Sequence, residues 1–297
     1  IAVTPEIVKK YKSLDLKIIL PKGYGQHFGI SDTDFINEGG EILNNDEKVL
    51  SEADLVLQMN LIDDKNLEKL KNDQFLIGVL NPYSNKEKLN KLLDKKINCF
   101  SLELLPRITR AQSMDILSSQ ANLAGHNAVV EAFQVYEKAI PMMMTAAGTI
   151  PAAKVLVVGA GVAGLQAIAT AKRMGAVVFG TDVRMASKEQ VESLGGKFLM
   201  VEQSENLETA GGYAKEASDE FKKKQADLLK EALKKNDIVV CTALIPGRPA
   251  PRILNEEMVK LMKPGSIIYD LAVEQGGNSA FSESDKINLV NGIKIIG

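Results

Sequence analysis

The stretch KVLVVGAGVAGLQAIATAKRMGAVVFGTD, which ends at Asp182, constrains the fold of this chain more than any other. An apolar run leads into Gly159, Gly161 and Gly164 in the spacing G-x-G-x-x-G, and a helix and a second strand follow. The first glycine permits a tight turn, the second lets the backbone approach a pyrophosphate, and the third lets helix and strand pack closely. N–H groups at the start of a helix attract phosphates. The stretch therefore predicts a βαβ unit that binds a dinucleotide.

Asp182 stands at the end of the second predicted strand. A carboxylate there can accept both ribose hydroxyls and repels a 2′-phosphate, so NAD(H) is favoured over NADP(H). Arg184 could pack over the adenine, although a surface arginine is the simpler interpretation. A lone glycine motif is weak because glycine is common, but here strand, helix, second strand and terminal acid occur together.

Two further strands are predicted by the runs DIVVCTAL and SIIYDLA. The segments ALIPG and LAVEQGGN end or follow these strands, at the edge where doubly wound sheets bind ligands. Four residues in these segments are candidates to line the nicotinamide half of the site, namely Gly247, Gln275, Gly276 and Asn278. The full set of cofactor-binding candidates is Gly159, Gly161, Val162, Gly164, Asp182, Val183, Arg184, Ala243, Leu244, Gly247, Gln275, Gly276 and Asn278.

The connection SENLETAGGYAKEASDEFKKKQADLLKEALKK is longer than a normal crossover. Its initial stretch, with Gly211, Gly212 and Tyr213, predicts a loop that is free to move. An insertion without a function is the alternative.

The first ~120 residues alternate short apolar runs with amphipathic polar stretches, which predicts a parallel sheet with helices on its faces. From Asp115 to Lys138 there is no proline and the apolar residues recur at helical spacing, so a long connecting helix is expected. We predict an N-terminal domain over 1–124 and a dinucleotide-binding domain over 125–297. The triplet at Met142, Met143 and Met144 is expected to pack within a core or a subunit interface.

The composition is that of a globular protein, with 45% hydrophobic residues, 25% charged residues and a net charge of −2, which gives no reason to expect nucleic acid. Cys99 and Cys241 lie in apolar runs and are predicted to be buried thiols, with no disulfide or metal site. The longest uncharged stretch falls short of the ~20 residues that a spanning helix needs. Because the chain starts at Ile1 and stops on the strand-like run GIKIIG, we expect both ends to be trimmed.

A polar cluster occupies the run PRITRAQSMD. If a helix begins at RAQSMDILSS, then Gln112, Asp115 and Ser118 recur three residues apart and share one face. Arg107 could fold back onto Asp115. Such a face could hold a carboxamide and a ribose across an interdomain cleft, but helix capping with a packing salt bridge explains the same residues equally well.

The runs PRITRAQSMDILSSQANLAG, VLVVGAGVAGLQAIATAKRMGA, TDVR, GGYAKEASDEF, TALIPGRPAP and DLAVEQGGN together resemble the NAD(H)-binding domain I, in the alpha subunit, of proton-translocating NAD(P) transhydrogenases. The resemblance covers essentially the whole chain. It implies two Rossmann-like doubly wound α/β domains that flank a cleft. It also implies that an "RQD loop" holds the nicotinamide and its ribose, and that a tyrosine lies on a loop closing over the nucleotide. The catalytic residues so implied are Arg107, Gln112, Asp115, Ser118 and Tyr213.

The resemblance further implies an enzyme that passes hydride from NADH to NADP⁺. NADP(H) is held on a separate partner domain, and the reaction is coupled to inward proton movement through a membrane domain. A homodimer is implied, which docks the NADP(H)-binding domain. It would lie on the cytoplasmic side of the inner membrane, or on the matrix side in a mitochondrion.

Alanine dehydrogenases share this architecture, but their substrate-binding lysine and catalytic histidine lie in runs like LLKVKEP and FTFLHLA. Here VLQMNLI and IGVLNPY place Asn60 and Asn81 at those positions. Asparagine does no acid–base work near neutral pH, and direct transfer between two nicotinamides requires no proton at the reacting carbons. His27, in a predicted loop, and His126, in the connecting helix, are expected to be structural. An alanine dehydrogenase-like enzyme and a non-catalytic NAD(H)-binding module are the alternatives.

Overall fold

The computed structural model describes residues 1–106, 108–201, 218–245 and 248–297. The chain divides into two compact units, Ile1–Ile116 and Leu117–Gly297. Both are α/β units whose strands pair mainly in parallel. The division falls at the start of the long connecting helix.

The first unit alternates short strands and helices, as the sequence predicts. In chain order its elements are α1 (Pro5–Lys12), β1 (Ile19–Pro21), α2 (Asp32–Asn37), β2 (Glu41–Leu43), α3 (Asp46–Glu52), β3 (Leu55–Asn60), α4 (Asp64–Leu67), β4 (Phe75–Val79), α5 (Lys86–Asp94) and β5 (Asn98–Ser101). Short 3₁₀ helices lie at Gln26–Phe28, Leu102–Leu104 and Thr109–Met114. Strands β1 and β2 form one parallel pair, and β3, β4 and β5 form a separate parallel sheet in that order.

Polar residues at their N-caps begin several of these helices. Ser31 and Asp34 form a reciprocal capping box at α2, while Asn45 and Asp63 accept hydrogen bonds from the first turns of α3 and α4. The three-stranded sheet packs one face on buried leucines, including Leu76 of β4. These polar residues therefore fix where α2, α3 and α4 begin.

The second unit begins with the connecting helix. In chain order its elements are α6 (Ile116–Val135), β6 (Met143–Thr145), β7 (Gly148–Ile150), β8 (Lys154–Val158), α7 (Val162–Arg173), β9 (Val177–Thr181), α8 (Ser187–Ser193), β10 (Lys197–Phe198), α9 (Asp219–Leu233), β11 (Ile238–Cys241), α10 (Glu256–Val259), β12 (Ile267–Asp270), β13 (Ile287–Val290) and β14 (Ile293–Ile296). A 3₁₀ helix lies at Val273–Gln275. The predicted long helix and the predicted strands around β8, β9, β11 and β12 are confirmed.

One seven-stranded sheet organises this unit, in the order β10-β9-β8-β11-β12-β14-β13, with β13 antiparallel at one edge. Alternate strand residues face opposite sides. One side packs on α6, α7 and α8, and the other packs on α9 and α10. The chain order reverses between β8 and β11, which is the point where doubly wound sheets bind ligands.

Two predictions about apolar runs need correction. Cys241 is buried, but Cys99 is exposed because it lies on β5, at an edge of its sheet. The methionine triplet does not pack in a core, because Met142, Met143 and Met144 are 61%, 46% and 72% exposed on and beside the β6–β7 hairpin. A subunit interface stays a prediction for the triplet. Within the described ranges, no helix combines the length and the apolar character needed to cross a membrane.

Candidate dinucleotide-binding site

The glycine-rich turn connects β8 to α7. Gly159 has φ of +100°, and a Cβ on it would lie 2.8 Å from the Thr242 hydroxyl oxygen. A Cβ on Gly164 would lie 1.8 Å from the carbonyl oxygen of Gly159. Gly161, the N-cap of α7, has nothing within 4 Å of an added Cβ. Two of the glycines are therefore required by the protein's own packing, whereas Gly161 borders open space at the start of a helix.

Thr242 ties the glycine-rich turn to the neighbouring strand. Its hydroxyl donates to the carbonyl oxygen of Gly159 at 2.9 Å, and its N–H donates to that of Val158 at 2.9 Å. Thr242 directly follows β11, so this bond spans the point where the strand order reverses. Thr242 was not among the candidates predicted from the sequence, although its place near the carboxyl end of the predicted strand DIVVCTAL is a signal that could have identified it.

Asp182 follows β9 and its side chain is 8% exposed. One carboxylate oxygen accepts the N–H of Ala160 at 2.7 Å and the other accepts the N–H of Arg184 at 2.9 Å. Burial by itself raises the pKa of Asp182, but hydrogen bonds and charge from Arg184, with the Ala160 N–H, outweigh it. The pKa of this carboxyl therefore lies below its ordinary value, and the group is ionised at neutral pH.

Arg184 forms a bidentate ion pair with that carboxylate. Its Nε lies 2.9 Å from one oxygen of Asp182 and its Nη2 lies 2.9 Å from the other. The Arg184 side chain is only 19% exposed. The interpretation of Arg184 as a surface arginine is therefore wrong, because its guanidinium pairs with the nearly buried carboxylate of Asp182.

The other cofactor-binding candidates near the sheet edge differ in exposure. Leu244, Gln275 and Gly276 are exposed, Val162 is 39% exposed at the start of α7, and Ala243 and Val183 are half-buried. Asn278, in contrast, is fully buried.

The Asn278 side chain is used within the protein. Its Oδ1 accepts the N–H of Ala243 at 2.9 Å, and its Nδ2 donates to the carbonyls of Ala243 and Pro251 at 2.8 and 2.9 Å. Asp270, which was not among the candidates predicted from the sequence, accepts the N–H of Ser279 at 2.9 Å. These bonds fix the segments after β11 and β12 against each other, so Asn278 positions backbone at the site.

The polar cluster does not lie on one continuous helix. The hypothesis that Gln112, Asp115 and Ser118 share one helix face is therefore wrong. Gln112 lies in the 3₁₀ helix, Asp115 has a non-helical ψ of 86°, and α6 begins at the next residue. Aspartate is a preferred residue at this N-terminal position, which explains the break. Ser118 lies in the first turn of α6. Gln112 is exposed, whereas Asp115 and Ser118 are half-buried. Arg107, Tyr213 and Gly247 lie outside the described residues.

Asn60 ends β3 and Asn81 lies two residues beyond β4, so both are at the carboxyl ends of neighbouring parallel strands. The Asn81 N–H donates to Oε1 of Glu103 at 2.5 Å. Oε2 of Glu103 is buried, with no hydrogen-bond partner among the described residues. Glu103 was missed from sequence. It supports a residue in the left-handed region, since Asn81 has φ of +46°.

Both histidines lie in structural settings. His126 contacts the Thr170 hydroxyl at 3.3 Å between α6 and α7, and the His27 ring packs on Phe28 at 4.5 Å between ring centroids. The structural roles expected for His27 and His126 stay predictions.

Two family models match the chain, "Alanine dehydrogenase/PNT, N-terminal domain" over 1–124 and "Alanine dehydrogenase/PNT, C-terminal domain" over 128–297. The chain is 51% identical to an NAD(P) transhydrogenase alpha subunit chain of Rhodospirillum rubrum, over 100% of this chain and 79% of that protein. It is 47% identical to the crystal structure of transhydrogenase from Sinorhizobium meliloti, with a TM-score of 0.91 over 100% and 81% of the two chains. An L-alanine dehydrogenase structure, 20% identical with a TM-score of 0.82 over 100% and 78%, shares the Rossmann-like α/β fold.

Proposed function

The chain belongs to the alanine dehydrogenase and NAD(P) transhydrogenase family, on the side of the transhydrogenase alpha subunits, and from that premise we propose that it is the NAD(H)-binding component of a proton-translocating transhydrogenase. It binds NADH and passes hydride directly to NADP⁺ on a separate domain. The reaction is coupled to proton translocation through a membrane domain. The identity to transhydrogenase subunits over the whole chain supports this assignment.

One observation favours this proposal over the activity of an amino-acid dehydrogenase. A glycine-rich turn with a charged Asp182 is present in the second unit, whereas the strand ends of the first unit present Asn60 and Asn81. Dehydrogenation of an amine needs a group that takes up a proton as hydride leaves, and an amide cannot do this near neutral pH. Transfer between two nicotinamides needs positioning of the rings, and the cofactors supply the chemistry.

We assign the positioning of the nicotinamide and its ribose to Arg107, Gln112, Asp115 and Ser118, and closure over the nucleotide to Tyr213. The glycine-rich turn holds the pyrophosphate at the N-terminus of α7. Asp182 binds the adenosine ribose and repels a 2′-phosphate, so NADP(H) belongs to the partner domain.

The exposed β6–β7 hairpin supports a homodimer. An isolated two-stranded hairpin is marginally stable in water, yet this one exposes Met143, Met144 and Ile150. Packing against a second copy of the chain would remove these side chains from water. The assembly is peripheral, on the cytoplasmic or matrix side of the membrane, where the NADP(H)-binding domain docks.

The proposal is tested by reduction of the acetylpyridine analogue of NAD⁺ by NADPH, with and without an NADP(H)-binding transhydrogenase domain. Turnover that requires both proteins is expected. If a competent partner gives no turnover while NADH binds, the chain is a non-catalytic binding module.

The positioning residues are tested in the same assay. Gln112→Ala and Asp115→Ala should slow hydride transfer far more than they weaken NADH binding. Gln120→Ala, an exposed glutamine on the next turn, serves as the matched control and should change neither. Equal losses of rate and affinity, or no loss, would contradict the assigned role.

The alanine dehydrogenase-like alternative has one observation in its favour. The Glu103 carboxylate lies beside Asn81, with one oxygen buried and unpaired among the described residues. Turnover of pyruvate and ammonium with NADH, lost in Glu103→Gln, would establish that activity. We expect no such turnover because Glu103 already binds the Asn81 backbone.

A further inference from the structure

The Asp182 carboxylate already accepts as many hydrogen bonds as it can. Four donors bind it, namely the Ala160 N–H and the N–H, Nε and Nη2 of Arg184, at 2.7 to 2.9 Å. A carboxylate offers about four lone-pair positions on its two oxygens. The described residues therefore fill each oxygen with two donors.

A ribose diol would need positions on this same carboxylate. The backbone donors of Ala160 and Arg184 are fixed by the glycine-rich turn and by the end of β9. The guanidinium is the part that can leave by side-chain rotation, because it is carried on a flexible stem. Occupation of Asp182 by a ribose thus requires loss of the bonds from Nε and Nη2.

We propose that Arg184 is an affinity- and specificity-determining residue that competes with the adenosine ribose for Asp182, so that the dinucleotide binds by exchanging a ribose diol for the guanidinium. This rests on the proposed function of the second unit as the NAD(H) site. The ion pair keeps the carboxylate ionised and paired. It also lowers the affinity for NADH, because two charge-assisted bonds are lost when the ribose enters.

The pair also affects discrimination between cofactors. While Arg184 remains near Asp182, its positive charge offsets the repulsion between the carboxylate and a 2′-phosphate. Without the guanidinium, an NADPH molecule meets an uncompensated carboxylate, whereas NADH meets two accessible acceptor oxygens. Removal of Arg184 should therefore tighten NADH and weaken NADPH.

The experiment titrates the whole chain with NADH and monitors binding by the fluorescence of NADH. The chain has no tryptophan, so no tryptophan emission interferes with this signal. Arg184→Met keeps an apolar stem and removes the guanidinium. Arg184→Lys keeps the charge but removes the bidentate fork. The matched control is Arg173→Met, an exposed arginine at the end of α7, which changes the net charge equally.

We expect Arg184→Met to bind NADH about tenfold more tightly, the scale of one charge-assisted hydrogen bond, and Arg184→Lys to bind it several-fold more tightly. Arg173→Met should bind like the wild type. In an Asp182→Asn background, Arg184→Met should give no further gain, since no carboxylate is left to compete for. If Arg184→Met does not fold, Arg184→Lys is measured instead, alone and in the Asp182→Asn background, where it should give no gain.

Weaker binding in both Arg184 variants would overturn the proposal and assign the guanidinium to the adenine instead. Unchanged binding would overturn it as well. Failure of the wild type to bind NADH would refute the proposed function itself, and so is distinguishable from failure of the competition between Arg184 and the ribose.

Discussion

Replacing Gly161 with alanine should separate folding from nucleotide binding. Gly161 has φ of −78° and ψ of −167°, which alanine adopts without strain, and an added Cβ meets nothing within 4 Å. Alanine reduces the entropy of the unfolded chain by about 0.4–1 kcal/mol but is a poor N-cap, at a cost of similar size. The free energy of unfolding should therefore change by less than about 1 kcal/mol.

Binding should respond much more strongly, because the open space at Gly161 is where the pyrophosphate would approach the N–H groups of α7. A hydrogen bond to a charged group contributes about 1.5–3 kcal/mol, and loss of two such bonds corresponds to at least about a hundredfold rise in Kd. Thermal unfolding and NADH titration measure the two effects on the same sample.

Gly164→Ala is the matched control, since its Cβ would lie 1.8 Å from the carbonyl oxygen of Gly159. Overpacking of this kind costs about 1–3 kcal/mol, which lowers the Tm of a domain of this size by roughly 2–12 °C. If Gly161→Ala folds normally and binds NADH like the wild type, no pyrophosphate lies against this turn. If it destabilises the chain as much as Gly164→Ala, the space is not open.

Three further predictions concern single side chains. Asn278→Ala should lower the free energy of unfolding by about 3 kcal/mol, measured by urea denaturation, because it removes three side-chain hydrogen bonds and leaves half-buried backbone groups of Ala243 without this partner; a change below about 1 kcal/mol would contradict this. The pKa of Asp182 is lowered in the folded chain, so the ionised carboxylate stabilises the folded state. This stabilisation is present above pH ~4 and is lost as the pH falls through the pKa of the folded state. The difference in urea midpoint between wild type and Asp182→Asn should therefore shrink in acid, and a difference independent of pH would refute the pairing. Burial raises the pKa of both thiols, but only Cys99 is exposed, so a thiol reagent should modify Cys99 in the native protein and reach Cys241 only after unfolding.

The elements that the sequence predicted well have local signals. Alternation of apolar runs with polar helices placed the strands of the first unit, and the glycine spacing placed β8, α7 and β9. The hypothesis that Gln112, Asp115 and Ser118 share one continuous helix was wrong because the break before α6 depends on one backbone angle, the ψ of Asp115. Cys99 was misplaced because an apolar run does not show whether a strand lies at the edge of its sheet.

The candidate site shows the same limit. Asn278 follows a strand, as a ligand-binding amide would, but its bonds to Ala243 and Pro251 depend on how two distant loops meet. Arg184 lies two residues from Asp182, a spacing that does not by itself predict an ion pair. Residue type and position thus indicate where the site lies, whereas the division between groups that bind ligand and groups that bind backbone requires tertiary structure.

Three side chains that follow strands β9, β11 and β12 along the chain each bind the backbone of another segment. Asp182 binds the N–H of Ala160, Thr242 binds the carbonyl of Gly159, and Asn278 binds both the N–H and the carbonyl of Ala243. Such cross-bonding fixes the loops, which suits a site whose proposed task is to hold a cofactor in position. In the competition proposed above, the cost of nucleotide entry falls on the Arg184 side chain, whose replacement should therefore change affinity.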